Sequence, residues 1–228
     1  MSFNGKFPPG LFPRDLVAHW RFHPSQQLAD SSGNGLTLGN ANGTVNSTNR
    51  NDGWDLTANG TTSVFSVTST KLDNLQPFTV EGWANVTGLG ETGFGRLVTR
   101  ENAVGSAGFW KIQCGSNSTL AFVKDYNGTD LSISSTNNCF VIGTRFHFAV
   151  TWDGTDLGAG AIIYTNGNNV STNPVNGTTG AVSDASGTLY IGSNGAADRA
   201  YDGIIGPIRI WKKVLTQTQI GWIYQKFK

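Results

Sequence analysis

From Asp15 onward, apolar residues recur at every second position in short runs, and clusters of Gly, Asn and Asp separate the runs. A period of two places alternate side chains on opposite faces of a strand. In LVAHWRF, Leu16, Ala18, Trp20 and Phe22 share one face, and Val17, His19 and Arg21 the other. PFTVEGWANV repeats the pattern, with Phe78, Val80, Gly82, Ala84 and Val86 set against Thr79, Glu81, Trp83 and Asn85. FHFAVTW turns Phe146, Phe148, Val150 and Trp152 to one side. Between them RLVTRE, GFWKIQC, TLAFVKD and LSISST read as a meander. Asn127-Gly128 and Asn166-Gly167 are hairpin signals, because a tight hairpin turn needs residues that accept positive φ. ADSSGNG and Asp153-Gly154 carry ordinary turn chemistry.

The two ends break this period. Residues 1–14 hold three of the seven prolines together with Phe3, Phe7, Leu11 and Phe12. Proline suits neither a helix interior nor a central strand, so the segment reads as an extended arm, docked through those four apolar side chains on its own domain or on a partner. At the other end Thr216 and Gln219 form a T-x-x-Q capping box, and Ile220, Ile223, Tyr224 and Phe227 follow at helical spacing.

Composition narrows the class. The chain has 228 residues, a length at which all-β sandwiches commonly fold as one domain, and neither a repeat nor a linker divides it. Charged residues make up only 14%, against roughly 25% in an average soluble domain. A net charge of +1 gives no electrostatic reason to expect nucleic acid or an anionic membrane as partner. No apolar run approaches the roughly 20 residues of a membrane helix. The N-terminus lacks the continuous apolar stretch of a secretory signal. Cys114 and Cys139 could close one loop or remain thiols; both readings stay open.

Four stretches, LVAHWRF with ADSSGNG, PFTVEGW, RFHFAVTWDGT, and TLYIGSNG leading into YDGIIGPIRIWKKVL, occur in an order that resembles laminin-G-like, concanavalin-A-like jelly-roll domains over about residues 15–220. The resemblance implies an all-β antiparallel sandwich of jelly-roll type across 15–228, preceded by the arm of 1–14 and closed by a short C-terminal helix. The fold hosts lectins, hydrolases, adhesion modules and virion proteins, so it does not choose a function.

Catalytic patterns are missing. A glycosidase needs two carboxylates roughly 5 to 9.5 Å apart, and residues i and i+2 on a strand stand about that far apart. Glu81 is followed there by Trp83, and Glu91 and Glu101 have no acidic partner at that spacing either. Glu81 and His147 therefore read as structural sheet residues. Gly88 to Gly93 matches G-x-G-x-x-G without the βαβ context that gives the motif meaning. Asp125, Asn127 and Asp130, with Asp153 and Asp156, offer the oxygen ligands calcium requires, yet the same residues make hairpin turns without metal. In the resembled family an acidic pair often stands where this chain has Gly206-Pro207. No cofactor is expected beyond this weak calcium candidate. Trp54, Tyr126 and Tyr201 lie near turns, where an aromatic ring could stack on a sugar.

The expected protein is thus non-enzymatic. A sandwich poor in charge and rich in Asn, Thr and Gly, with an apolar arm, resembles the decoration, cement and tail proteins of bacteriophages. The first expectation is a virion surface protein, docked by its arm to other virion proteins or to itself. The alternative is a carbohydrate-binding module or lectin, secreted and calcium-dependent or not, whose partner is a glycan.

Overall fold

The computed structural model describes residues 10–11, 13–41, 44–88, 90–101, 108–136 and 138–228. Among them two eight-stranded sheets form a sandwich. The first runs β13 (Asn168–Asn169), β12 (Ala161–Thr165), β11 (Phe146–Trp152), β6 (Phe78–Val86), β16 (Asp202–Trp211), β4 (Trp54–Asn59), β3 (Thr44–Asn49), and β1 (Leu16–Trp20) also pairs with β16. The second runs β14 (Thr172–Val175), β10 (Leu131–Ser135), β9 (Thr119–Lys124), β8 (Gly108–Gly115), β7 (Arg96–Glu101), β15 (Thr188–Ile191), β5 (Val64–Thr68), β2 (Gly39–Ala41). A helix, α1 (Gln217–Phe227), ends the chain. Among the described residues no helix is long and apolar enough to cross a membrane.

The alternating runs supply the core between the sheets. Phe78, Val80, Ala84 and Val86 of β6 meet Phe146, Phe148, Val150 and Trp152 of β11, together with Trp110, Ile112 and Phe122 from the second sheet. The ring of Phe78 sits 5.1 Å from Trp110, 5.5 Å from Trp152 and 5.9 Å from Phe122. Such aromatic pairs contribute about 0.5–1.5 kcal/mol each beyond their buried area. Asn166 and Gly167 both take positive φ, at 49° and 81°, as their hairpin turn demands.

One stretch departs from the simple alternation. A bulge shifts the pairing of β1 with β16 between Leu16 and Ala18. Val17, Ala18, Trp20 and Phe22 consequently enter the main core, whereas Leu16 joins a second cluster on the outer side of the first sheet. An extra residue in one strand swaps the faces of those before it.

The second cluster is where α1 packs. Ile220 and Ile223 of the helix meet Leu16, Tyr164, Trp211 and Leu215. The expected capping box is formed: Thr216 Oγ1 accepts from the Gln219 N–H at 3.3 Å, and Gln219 Oε1 accepts from the Thr216 N–H at 3.0 Å. Leu11, one of the four arm residues expected to dock, is 4% exposed within this same cluster, held by its own domain. Phe3, Phe7 and Phe12 lie outside the described residues.

Beneath the helix lies a buried ionic network on the outer face of the first sheet. Arg209 stands beside Glu81 on one side and His19 on the other in register. Its Nη1 donates to Glu81 Oε1 at 2.9 Å and its Nη2 to Asp52 Oδ1. His147 Nε2 lies 3.1 Å from Glu81 Oε2. Burial pushes the Glu81 carboxyl up, but Arg209 and His147 outweigh it and hold the group below its usual range. Glu81 and His147 are both 0% exposed within this network. Cys114 and Cys139 are free thiols, and burial pushes the Cys114 thiol well up.

Candidate binding face

The two sheets differ in what covers their outer faces. All seven residues of β11 and eight of the nine in β6 are buried, because the core lies on one side and α1 on the other. In the second sheet β9, β10 and β15 alternate strictly between buried and half-exposed positions. That is the signature of an antiparallel sheet with one face open. This open face is the candidate binding face.

Its residues line up in register. Lys111 of β8 stands opposite Thr99 of β7, Thr99 opposite Tyr190 of β15, and Tyr190 opposite Ser66 of β5. On the far side Lys111 pairs with Val123 and Val123 with Ser132. Neighbouring strands lie about 4.8 Å apart, so about 10 Å separates the Lys111 and Tyr190 positions. Gln113 is two residues along β8 from Lys111, and Glu101 two along β7 from Thr99. Arg96 donates through Nη1 to Gln113 Oε1.

A loop over 193–199 flanks this row. The Gly195 N–H donates to Glu101 Oε2 at 3.1 Å. A Cβ at Gly195 would lie 2.8 Å from Tyr190 Oη, so a larger residue there would displace the tyrosine ring. The loop holds its own shape, with Asn194 Nδ2 donating to Asp198 Oδ1 at 2.7 Å and the Asp198 N–H returning to Asn194 Oδ1 at 3.1 Å.

Charges here are partly stripped of water. Burial lowers Lys111, with the positive charge of Arg96 adding to the effect, and burial lowers Arg96 as well. Glu101 is 3% exposed and burial raises it, although the Gly195 N–H and the cations Arg96 and Lys111 pull it back. The positions opposite Glu101 are Thr188 and Gly108, so no second carboxylate pairs with it across the strands. The face offers a half-buried aromatic ring, hydroxyls and fixed charges: equipment for recognising a polar, ring-bearing ligand.

The aromatic residues expected near a ligand are placed otherwise. Tyr201 is 1% exposed inside the main core and cannot stack on a sugar, because its ring is enclosed by the sandwich. Tyr126 is 6% exposed, its hydroxyl donating to Thr155 O at 3.0 Å and Gly177 lying against its ring. Trp54 is half-buried against the core, with the His23 ring 4.1 Å away edge-on. Tyr126 and Asp156 do meet in one open cleft of about 500 Å³ at an end of the sandwich, with Gln76 and Ser183.

The loop acids serve the turns. Asp153 Oδ1 accepts from the N–H and Oγ1 of Thr155 at 2.9 and 2.7 Å. Asp130 Oδ1 accepts from the Tyr126 N–H at 3.1 Å, and Asp125 is buried. Asn127 donates from Nδ2 to Thr179 O at 3.2 Å. Among the described residues no group of three or more His, Cys, Asp or Glu side chains gathers around a metal-sized site.

Residues 59–221 match the family model for concanavalin A-like lectins and glucanases. The chain belongs to the concanavalin A-like lectin/glucanases superfamily. No curated protein matches the sequence significantly. Solved structures similar to this superfamily member include the binding domain of Paraclostridial Mosquitocidal Protein 1, at 16% identity and TM-score 0.72, covering 93% of this chain and 52% of that one. The binding domain of botulinum neurotoxin DC in complex with SialylT shows 18% identity and TM-score 0.68 over 93% and 52% of the two chains. Domain 4 of AbnA, an extracellular GH43 arabinanase from Geobacillus stearothermophilus, in complex with arabinotriose, shows 19% identity and TM-score 0.62 over 92% and 98%. The chain spans about half the length of the first two structures. At these identities the likeness shows the fold.

The open face itself was not singled out in the sequence, although a signal exists. In GFWKIQC, Lys111 and Gln113 fall out of phase with Trp110, Ile112 and Cys114, which are buried in the core. Arg100 hides the same reading in RLVTRE. It occupies a core-side position and is fully buried, its guanidinium paired with Asp73 and Asp184.

Proposed function

We propose that this superfamily member is a non-enzymatic carbohydrate-binding domain that holds a glycan across the open face of its second sheet. One observation carries the reading: the outer face of the second sheet bears half-exposed Tyr190 and Lys111 in register on either side of buried Thr99, while the opposite sheet is covered by its helix. Tyr190 supplies a ring for stacking, and Thr99, Lys111 and Gln113 supply directional hydrogen bonds. The sugar complexes of two structures with this fold support it.

A glycan array probed with the full chain, with and without EDTA, tests the proposal. Reproducible selectivity is expected, and the EDTA arm decides whether calcium takes part. Truncating a central aromatic anchor commonly costs more than about 1.4 kcal/mol, or tenfold in affinity, so Tyr190→Ala is expected to weaken binding at least that much. Silence on the array would defeat the reading. Binding that survives Tyr190→Ala unchanged would remove it from this face.

A further inference from the structure

Elsewhere in the molecule three arginines largely shielded from water contact carboxylates: Arg209 is paired with Asp52 and Glu81, Arg100 with Asp73 and Asp184, and Arg145 lies 3.8 Å from Asp55. Buried Lys124 donates instead to the Val182 carbonyl at 2.6 Å. On the open face no such carboxylate contact forms. Neither Arg96 nor Lys111 makes an ion pair among the described residues, which include every Asp and Glu of the chain. Glu101, Asp125, Asp130 and Asp198 act on these cations only through space, and Glu101 Oε2 accepts from the Gly195 N–H. Two donors beside these cations are also unused among the described residues. Arg96 Nε is buried with no hydrogen-bond partner, and so is Oγ1 of Thr99, a residue at 0% exposure that stands directly between Lys111 and Tyr190. A buried polar atom without a partner carries a desolvation cost that a bound ligand can offset.

We propose that the open face selects acidic glycans: Lys111 and Arg96 receive a carboxylate or sulfate substituent, Thr99 Oγ1 donates beside them, and Tyr190 carries a ring one strand further on. This rests on the glycan reading of the same face. Either anionic group matches the chemistry, since both present oxygens to fixed N–H and O–H donors.

The experiment is calorimetric titration of the full chain with three probes: a uronic-acid oligosaccharide, its carboxyl-reduced neutral counterpart, and a sulfated counterpart. Each is run at low and at high salt. The uronate or the sulfate is expected to bind at least about tenfold tighter than the neutral oligosaccharide, the worth of one charge-assisted hydrogen bond, and to weaken as salt rises. Which of the two binds identifies the substituent. Lys111→Gln is expected to erase the preference, bringing the acidic probe down to the affinity of the neutral one. Thr99→Val keeps the shape, removes the hydroxyl and should reduce the preference should Lys111→Gln fail to fold. Equal binding of acidic and neutral probes, or an equal loss for both in Lys111→Gln, would overturn the acidic selectivity and leave a neutral-glycan face standing. Failure of all three probes would bring down both proposals.

Discussion

Replacing His19 by Gln should change how stability depends on pH, and by a calculable amount. His19 is 0% exposed, with Nε2 3.8 Å from Asp52 Oδ1. Burial holds its imidazole well below the ordinary value of 6.5, and the guanidinium charges of Arg209 and Arg21 push the same way. The native state therefore keeps His19 neutral at a pH where the unfolded chain takes up a proton. Stability from this group is fully present above pH 6.5 and falls as pH drops from there toward the native value, at about 1.4 kcal/mol per pH unit. Each unit of that fall is a sizeable share of the roughly 5–15 kcal/mol that holds a domain together. Urea unfolding followed by Trp fluorescence at pH 5, 6, 7 and 8 reads it directly. The wild-type advantage over His19→Gln should be constant at pH 7 and 8 and shrink progressively at pH 6 and pH 5. Parallel curves for the two proteins would refute the reasoning, because every other titrating group is shared.

Two further substitutions probe the layer beneath the helix. Arg209→Met leaves Glu81 and Asp52 buried without their cation, and should cost about 3–5 kcal/mol in urea unfolding; a loss under about 1 kcal/mol would mean the network is not held as described. Thr216→Ala removes the side-chain acceptor of the capping box and should cost about 1 kcal/mol, read as a lower thermal midpoint.

Much of the sandwich was legible in the chain, and particular residues show why. Phe78 to Val86 and Phe146 to Trp152 alternate so strictly that their core faces follow from the backbone period alone. Asn166-Gly167 and the Thr216 capping box are local signals whose partners lie within a few residues, so they too were readable. The bulge at Leu16 was not, since a slipped hydrogen bond leaves no mark in the alternation itself. Tyr201 and Tyr126 looked like turn residues beside a ligand and proved to be enclosed, because their neighbours come from distant loops.

The binding face illustrates the division most sharply. Period two sorts Thr99, Lys111 and Tyr190 to one side of their strands, as it does Glu81, His147 and Arg209. Nothing local says that the second trio ends beneath a helix from the far end of the chain while Lys111 and Tyr190 of the first stay half-exposed. Thr99 and Tyr190 are 91 residues apart and become neighbours only through the pairing of β7 with β15. Sequence alone determined the strands, the turns, the helix start and the core-facing set, all of them consequences of short-range geometry. Tertiary structure decided which outer face is covered by a helix and which cations make no ion-pair contact, because burial and pairing belong to residues brought together from across the whole chain.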